Sequence, residues 1–354
     1  MNENQRIFIA CTKLGDFFRN FCSLKLLEDG QHQINQDHWS QQLDETINLA
    51  GHKNGWFTEE NVLFALESWG NLLREDALSA WLSHYDLTRN QEKTVAIIMA
   101  GNIPLVGFHD LLAVLITGNK ALLKMSSNDN VLISFIRNYL MSIEPLFEDI
   151  IRIPKGKLEG FTAVNATGSN NTARYFEHYF GKVPNIIRKN RNSVAVLTGD
   201  ESPKQLDALG KDIFQYYGLG CRSVSKLFVP KGYNFDTFFT SIYGYNQIVQ
   251  QNKYANNYDY NKAVYLMSDF KILDNGFLVL KEDEGYASPI ASLFYEQYAS
   301  LKGLRERLKK DADQLQCIVG DGIFDNEIPF GKTQIPSLGD YADGVDTVDF
   351  LLRN

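Results

Sequence analysis

The feature that most constrains the fold of this chain is an alternation of short apolar runs with helical segments, which begins at residue 94. Residues 94–100 form a continuous apolar run with several β-branched side chains, which is typical of a strand buried on both faces. Gly101 ends this run, and apolar residues at helical spacing follow as far as Gly118. Further strands are predicted at 121–124 and 161–165, each followed by a helical pattern. Strands that alternate with helices predict a parallel sheet.

The same alternation recurs after residue 190. Strands are predicted at four places: 193–197, 226–229, 277–281 and 290–295. Apolar residues at helical spacing from Leu206 to Tyr217 predict a helix between the first two of these strands. Residues 1–90 are predicted to be mostly helical, with one helix starting at Thr58. The pattern therefore predicts two α/β units in tandem, preceded by a helical N-terminal layer.

The composition is that of an ordinary globular protein. With 354 residues, of which 44% are hydrophobic and 22% charged, the chain is long enough for two domains, and long disordered stretches are not expected. No apolar run approaches the span of a bilayer, and the N-terminus lacks the pattern of a signal peptide. A net charge of −8 without a Lys/Arg run argues against a nucleic-acid surface.

Cysteine and histidine spacing narrows the chemistry further. The four cysteines, Cys11, Cys22, Cys221 and Cys317, are far apart and include no Cys-x-x-Cys pair. This spacing does not suit a disulfide framework and predicts a reducing, cytoplasmic compartment. None of the six histidines lies at metal-ligand spacing from another His or Cys, so no metal site is predicted.

The most informative local motif is Gly-x-Gly-Cys at 218–221. Two glycines allow the backbone to bring the sulfur of Cys221 close to a ligand, and a thiolate attacks carbonyl and thioester carbons readily. Most cysteines are instead small buried apolar residues, and that interpretation fits the other three, above all Cys317 in an apolar run.

Polar residues also follow three predicted strands of the first unit. An amide at Asn102 could donate a hydrogen bond to an oxyanion, Lys124 could bind ribose or phosphate, and Gly168-Ser169 could admit phosphate to a helix N-terminus. Each of them alone also fits an ordinary turn or surface position.

The order of these motifs is more specific than any one of them. Ala-Gly-Asn-x-Pro, Gly-Asn-x-x-x-x-Lys-x-Ser, Thr-Gly-Ser and Gly-x-Gly-Cys occur at 100–104, 118–126, 167–169 and 218–221. This order resembles the aldehyde dehydrogenase superfamily, whose late Pro-Phe-Gly-Gly segment is similar to residues 329–334. The stretches 218–223 and 340–347 resemble the LuxC-type fatty-acyl-CoA reductases, and the whole resemblance covers roughly residues 90 to 354.

The resemblance implies a fold and a division of the chain. It implies an aldehyde-dehydrogenase-like α/β fold with two tandem Rossmann-like domains and a helical N-terminal layer. We predict that an NADP-binding domain comprises residues 1–192 with a returning C-terminal segment, 325–354. Residues 193–324 are predicted to form the catalytic domain that carries the nucleophilic cysteine.

The resemblance also implies roles for individual residues. Cys221 would form a thioester with the acyl group, and the Asn102 amide and the Cys221 backbone N–H would stabilise the oxyanion. The cofactor would be bound by the residues that match the superfamily motifs and their neighbours: Lys124, Ser126, Ser127, Gly168, Ser169 and Glu284. Lys124 is implied to contact the adenosine ribose, Gly168-Ser169 the pyrophosphate, and Glu284 the nicotinamide ribose.

Two departures from the superfamily pattern bear on the reaction. Aldehyde-oxidising members carry a glutamate that activates water, whereas the matching stretch here, 188–192, begins with Arg188. Without that base, hydrolysis of an acyl-enzyme is expected to be slow. NAD-preferring members often carry a glutamate three residues after the lysine, and Ser127 occupies that position here, which favours NADPH.

Together these features predict an NADPH-dependent acyl-CoA reductase that makes an aldehyde from an acyl thioester through an S-acyl-cysteine intermediate. The resemblance further implies a homo-oligomer and an acyl-protein synthetase as partner. Within the superfamily, a coenzyme A-acylating aldehyde dehydrogenase and an acyl-phosphate reductase remain open. Outside it, the alternatives are a cysteine acyltransferase or hydrolase without nicotinamide, and a non-catalytic binding protein.

Overall fold

The computed structural model describes residues 2–353, which form two compact units. The first unit contains the described residues up to Lys189 and those from Ser337 onward, and the second unit contains Asn190–Pro336. The C-terminal segment of the first unit begins at Ser337, and residues 331 and 333 bind to a helix of the second unit.

The first unit begins with a layer of helices, as predicted. They are α1 (Glu3–Lys25), α2 (Gly30–Gln36), α3 (His38–Lys53), α4 (Glu59–Leu72) and α5 (Glu75–Leu82). Thr58 caps α4 by accepting a hydrogen bond from the Asn61 N–H, at 3.4 Å, and Glu59 and Glu60 lie at the positive end of the helix dipole. The predicted helix start at Thr58 is confirmed.

A five-stranded parallel sheet follows in the order β3-β2-β1-β4-β5. Its strands are β1 (Thr94–Ile98), β2 (Lys120–Lys124), β3 (Ile151–Arg152), β4 (Ala163–Thr167) and β5 (Asn185–Arg188). Its helices are α6 (Phe108–Ile116), α7 (Val131–Ile143), α8 (Phe147–Ile150), α9 (Asn170–Phe180) and a C-terminal helix, Thr347–Arg353. The two-residue strand β3 was not predicted, and β4 lies two residues later than the predicted 161–165.

The second unit is built on a six-stranded sheet in the order β11-β6-β7-β10-β9-β8. Its strands are β6 (Asn192–Val196), β7 (Val224–Pro230), β8 (Ile272–Asp274), β9 (Val279–Glu282), β10 (Ser292–Tyr298) and β11 (Leu315–Val319). All the strand pairs are parallel except β8 with β9. The helices are α10 (Pro203–Phe214), α11 (Asp236–Ser241), α12 (Asn252–Met267) and α13 (Leu301–Lys310).

These two mainly parallel sheets with their helices confirm the predicted α/β class. The helix predicted to reach Tyr217 is wrong at its end, because α10 stops at Phe214 and the backbone then turns left-handed. Within residues 2–353, none of the helices combines the length and hydropathy needed to cross a bilayer.

Candidate active site

Three neighbouring strands of the first sheet end beside the residues that the sequence singled out. Ile98 pairs with Lys124 at the end of β2 and with Ala166 near the end of β4. Asn102 follows β1, and Ser169 follows β4, so both lie at the carboxyl edge where Lys124 ends its strand. The structure thus brings these residues, with Ser126, Ser127 and Gly168, to one edge of one sheet.

A buried aspartate, Asp129, holds the loop that carries Asn102. Its Oδ2 accepts a hydrogen bond from the Leu105 N–H at 2.8 Å, and Leu105 has a left-handed backbone with φ of 58°. We call residues 99–107 the Asn102 loop. Gly101 lets this loop approach the turn after β2, since a Cβ at that position would lie only 2.5 Å from Ser126 Oγ. The Asn102 side chain is exposed at the tip of the loop.

Asp129 is 3% exposed, and only one of its two carboxylate oxygens has a hydrogen-bond partner among the described residues. Burial raises the pKa of Asp129 to about 6, and the Leu105 N–H opposes that shift only in part. Burial thus shifts the protonation of this anchor of the Asn102 loop from pH 3.8 towards pH 6.

The residues of the first unit that are assigned to the cofactor mostly offer hydrogen-bond donors, whereas Glu284, in the second unit, offers a carboxylate. Lys124 offers an ammonium group, Ser126 and Ser127 offer hydroxyls, and α9 presents its N-terminal turn. Ser169 caps α9 by accepting from the Thr172 N–H at 3.2 Å, and Lys124, Ser127 and Ser169 are all exposed. Ribose and phosphate oxygens are acceptors, so this donor set fits the sugar and phosphate groups of a nucleotide.

Cys221 lies in the second unit, in a loop between α10 and β7, and its side chain is exposed. Two tyrosines before it, Tyr216 and Tyr217, have φ of 55° and 58°, and Gly218 continues the left-handed turn with φ of 74°. Left-handed backbone costs a non-glycine residue about 1–2 kcal/mol, so surrounding packing must hold this turn. We call residues 216–223 the Cys221 loop.

Packing and a hydrogen bond to the Cys221 carbonyl help to fix the Cys221 loop within its own unit. Tyr216 is buried, and the ring of Tyr217 lies 6.1 Å from that of Tyr254, which is itself buried. Ser193, at the start of β6, donates its hydroxyl to the Cys221 carbonyl at 2.9 Å. The loop is therefore an ordered support for an exposed thiol.

The other cysteines lie in different environments. Cys11 and Cys317 are buried, and Cys22 is half-buried. Burial raises the pKa of the Cys11 and Cys22 thiols to about 12, which keeps both protonated at neutral pH. None of the four cysteines forms a disulfide, and among residues 2–353 no group of His, Cys, Asp and Glu could hold a metal ion.

Glu284 follows β9 in the second unit, and its side chain is exposed. Its backbone carbonyl accepts a hydrogen bond, at 2.8 Å, from the buried ammonium of Lys226, which also pairs with Glu296 at 2.7 Å. The structure thus anchors the backbone of Glu284 to β7, a few residues beyond Cys221.

Arg188, which the resemblance aligns with the water-activating glutamate of aldehyde-oxidising members, is buried at the end of β5. Its Nη1 pairs with Asp110 at 2.5 Å, and its Nη2 donates to Thr347 Oγ1 at 2.9 Å. A guanidinium held in an ion pair cannot act as a general base, so this position supplies no route to activate water.

Sequence reasoning missed the residues that hold the two loops, chiefly Asp129, Ser193 and a second buried aspartate, Asp212 in α10. Asp129 stands one residue before the N-cap of α7, and its side chain binds the Leu105 N–H. A polar residue next to a buried strand or helix only weakly indicates that it holds a loop, because its hydrogen-bond partner lies far away in the sequence.

The structure is similar to several solved aldehyde dehydrogenases. Aldehyde dehydrogenase 21 from Physcomitrella patens, solved with the reaction product succinate, matches with a TM-score of 0.62 at 12% identity over 98% of this chain and 87% of that chain. KauB from Pseudomonas aeruginosa matches with a TM-score of 0.62 at 14% identity, over 90% and 72%. An indole-3-acetaldehyde dehydrogenase complexed with NAD+ matches with 0.60 at 11%, over 90% and 72%.

No profile of a known protein family matches the chain, and neither does any curated protein sequence. At identities of 11–14% the structural similarity concerns the fold rather than the activity. The chain has the fold of the aldehyde dehydrogenases.

Proposed function

We propose that the protein is an acyl-thioester reductase, which takes an acyl thioester such as an acyl-CoA and releases an aldehyde at the expense of NADPH. The observation that carries the proposal is the exposed thiol of Cys221, held on an ordered loop next to a left-handed turn. Strained backbone concentrates at functional sites, and the other three thiols are buried or half-buried.

The first step is acyl transfer to Cys221. Its thiolate attacks the carbonyl carbon, a new C–S bond forms, and the donor thiol leaves with a proton. Resemblance assigns the developing oxyanion to the Cys221 backbone N–H and the Asn102 amide, which donate hydrogen bonds. The product of this step is an S-acyl-Cys221 thioester.

The second step is reduction of that thioester. The hydride that reduces the acyl carbon would come from a nicotinamide cofactor when one is bound. The Cys221 sulfur then leaves as the hemithioacetal collapses, the aldehyde is released, and the thiolate is regenerated. The buried ion pair of Arg188 with Asp110 supports reduction over hydrolysis, since no glutamate stands there to activate water.

NADPH is proposed over NADH because of Ser127. A carboxylate at this position would repel a 2′-phosphate, whereas the exposed hydroxyl of Ser127 can donate a hydrogen bond to it. A nicotinamide cofactor is supported by the donor set at the carboxyl edge of the first sheet. It is further supported by the NAD+ complex of the indole-3-acetaldehyde dehydrogenase that shares the fold.

The test is to follow NADPH oxidation with a panel of acyl-CoA esters of increasing chain length. We expect NADPH consumption with aldehyde formation, and covalent labelling by radioactive acyl-CoA that Cys221→Ser abolishes. Cys22→Ser serves as the control, because that thiol is half-buried. Undiminished labelling of Cys221→Ser would refute the nucleophile.

Other outcomes would identify the alternatives. Acid formation without NADPH consumption would indicate a cysteine hydrolase. A strong preference for NADH would overturn the assignment of Ser127. Absence of labelling, with no cofactor binding, would indicate a non-catalytic protein.

A further inference from the structure

Asp212, in α10, is completely buried and binds a segment more than a hundred residues away in the sequence. Its Oδ2 accepts from the Gly331 N–H at 2.6 Å, and its Oδ1 accepts from the Thr333 N–H at 2.9 Å and the Thr333 hydroxyl at 2.8 Å. Three donors converge on one carboxylate, and each of its oxygens is satisfied. These donors belong to a short stretch, residues 331–334, which we call the 331–334 segment.

Burying an unpaired carboxylate is unfavourable, and the environment of Asp212 shows how this is offset. Burial raises the pKa of Asp212, and the backbone N–H groups of Thr333 and Gly331 act in the opposite direction, followed by the Thr333 hydroxyl. An apolar residue could fill this volume, but it could not bind these three donors. The carboxylate therefore specifies one conformation of the 331–334 segment.

That segment in turn binds the two residues that follow Cys221. The Arg222 Nε donates to the Thr333 carbonyl at 2.7 Å, and the Gln334 side-chain amide donates to Ser223 Oγ at 3.2 Å. Both contacts lie within the second unit, and Ser223, Thr333 and Gln334 are all buried. A continuous chain of hydrogen bonds thus runs from Asp212 through Thr333 to the Cys221 loop.

The Cys221 loop is consequently held on both sides. The left-handed turn at 216–218 precedes the thiol, and the bonds of Arg222 and Ser223 follow it. If the second support were lost, the thiol would remain exposed, but its direction and that of the Cys221 N–H would vary. Reactions that depend on aligned groups are sensitive to such changes, since a displacement of about 1 Å can slow them by about 100-fold.

We propose that Asp212 is a positioning residue for Cys221, acting through the 331–334 segment to fix Arg222 and Ser223. The role of Cys221 as the acylated nucleophile rests on the proposed function, whereas the positioning of its side chain does not. The two can therefore be tested separately on the same variants.

The variant is Asp212→Asn, which keeps the volume but places an amide N–H2 where one carboxylate oxygen accepted a hydrogen bond. The matched control is Asp274→Asn in the same unit. Asp274 also accepts several hydrogen bonds, from the Tyr258 hydroxyl at 2.6 Å and the Gly276 N–H at 3.0 Å, and it pairs with Lys262. Both variants are first checked by far-UV circular dichroism, and measurements are made where they are folded.

The first measurement is 19F NMR of the full chain labelled at Cys221 with bromotrifluoroacetone, with Cys221→Ser to identify the signal. We expect Asp212→Asn to broaden, split or shift the resonance, while Asp274→Asn leaves it as in the wild-type protein. An Asp212→Asn spectrum identical to wild type, or the same change in both variants, would overturn the proposal whether or not the protein reduces acyl thioesters.

The second measurement is single-turnover acylation of Cys221 by acyl-CoA. We expect Asp212→Asn to lower the rate constant by about tenfold or more with little change in the half-saturating concentration, and Asp274→Asn to leave both unchanged. A rate constant for Asp212→Asn equal to wild type would overturn the positioning role. If the variants give the expected NMR spectra but the wild-type protein is never acylated, the proposed function is refuted and the positioning role of Asp212 is not.

Discussion

The Asn102 loop and the Cys221 loop are each held, directly or through a second segment, by a buried aspartate, but the two aspartates are satisfied to different degrees. Asp129 is 3% exposed and binds one N–H, whereas Asp212 is 0% exposed and binds three donors. Burial raises the pKa of both carboxyls, and more donors oppose the shift at Asp212. This comparison shows that the number of hydrogen-bond donors, rather than the extent of burial, decides whether a buried carboxylate can remain charged.

Replacing each aspartate with alanine should give the largest difference between Asp212 and Asp129 in the free energy of unfolding. Asp212→Ala leaves three donors without their acceptor, which should lower the free energy of unfolding by roughly 3 kcal/mol or more. Asp129→Ala orphans one donor but also removes a poorly solvated charge, so at pH 7 we expect a change of about 1 kcal/mol or less. Urea unfolding followed by far-UV circular dichroism measures both, and equal losses would contradict the distinction.

The second prediction concerns pH and the first unit. The pKa of Asp129 is raised from 3.8 to about 6 in the folded protein, so the folded state binds the proton more tightly than the unfolded state. The stabilisation from this proton is present below pH 3.8 and is lost as pH rises through 6. At 1.36 kcal/mol per pKa unit, the loss amounts to about 3 kcal/mol.

Tryptophan fluorescence can follow this change, because all four tryptophans of the sequence lie in the first unit. We expect the urea midpoint to fall between pH 4 and pH 7 in the wild-type protein and to fall less in Asp129→Asn, which has no proton to lose. Parallel pH profiles of the two proteins would show that Asp129 does not titrate in this range.

Much of the fold follows from local sequence patterns. Strands buried on both faces are apolar runs, and residues 94–100 indicated β1 (Thr94–Ile98) for that reason. The strand predicted at 161–165 lies instead at Ala163–Thr167, with Asn165 at its centre. Asn165 is completely buried, and its amide atoms have no hydrogen-bond partner among the described residues, so a polar residue interrupted the pattern inside a true strand.

The supports of the candidate site could not be predicted, because they depend on contacts between distant segments. Tyr217 continues the helical spacing of α10, yet Tyr216 and Tyr217 adopt a left-handed backbone that tertiary packing imposes. Asp212 and Thr333 are far apart in the sequence, and no local motif links them. Motif order indicated which residues to examine, whereas the structure shows what holds them in place.

The last prediction concerns Gly218, in the left-handed turn before Cys221. It tests whether this turn affects the reactivity of the thiol or only the stability of the protein. Gly218→Ala places a Cβ on a backbone with φ of 74°, which should lower stability by about 1–2 kcal/mol. Gly232, after β7, has a similar φ of 78°, and an added Cβ there meets no atom within 4 Å, so Gly232→Ala is the matched control. We expect similar losses in urea unfolding, but a slower acylation of Cys221 only in Gly218→Ala. If both variants acylate at the wild-type rate, the turn contributes to folding alone, and the bonds of Arg222 and Ser223 suffice to orient the nucleophile.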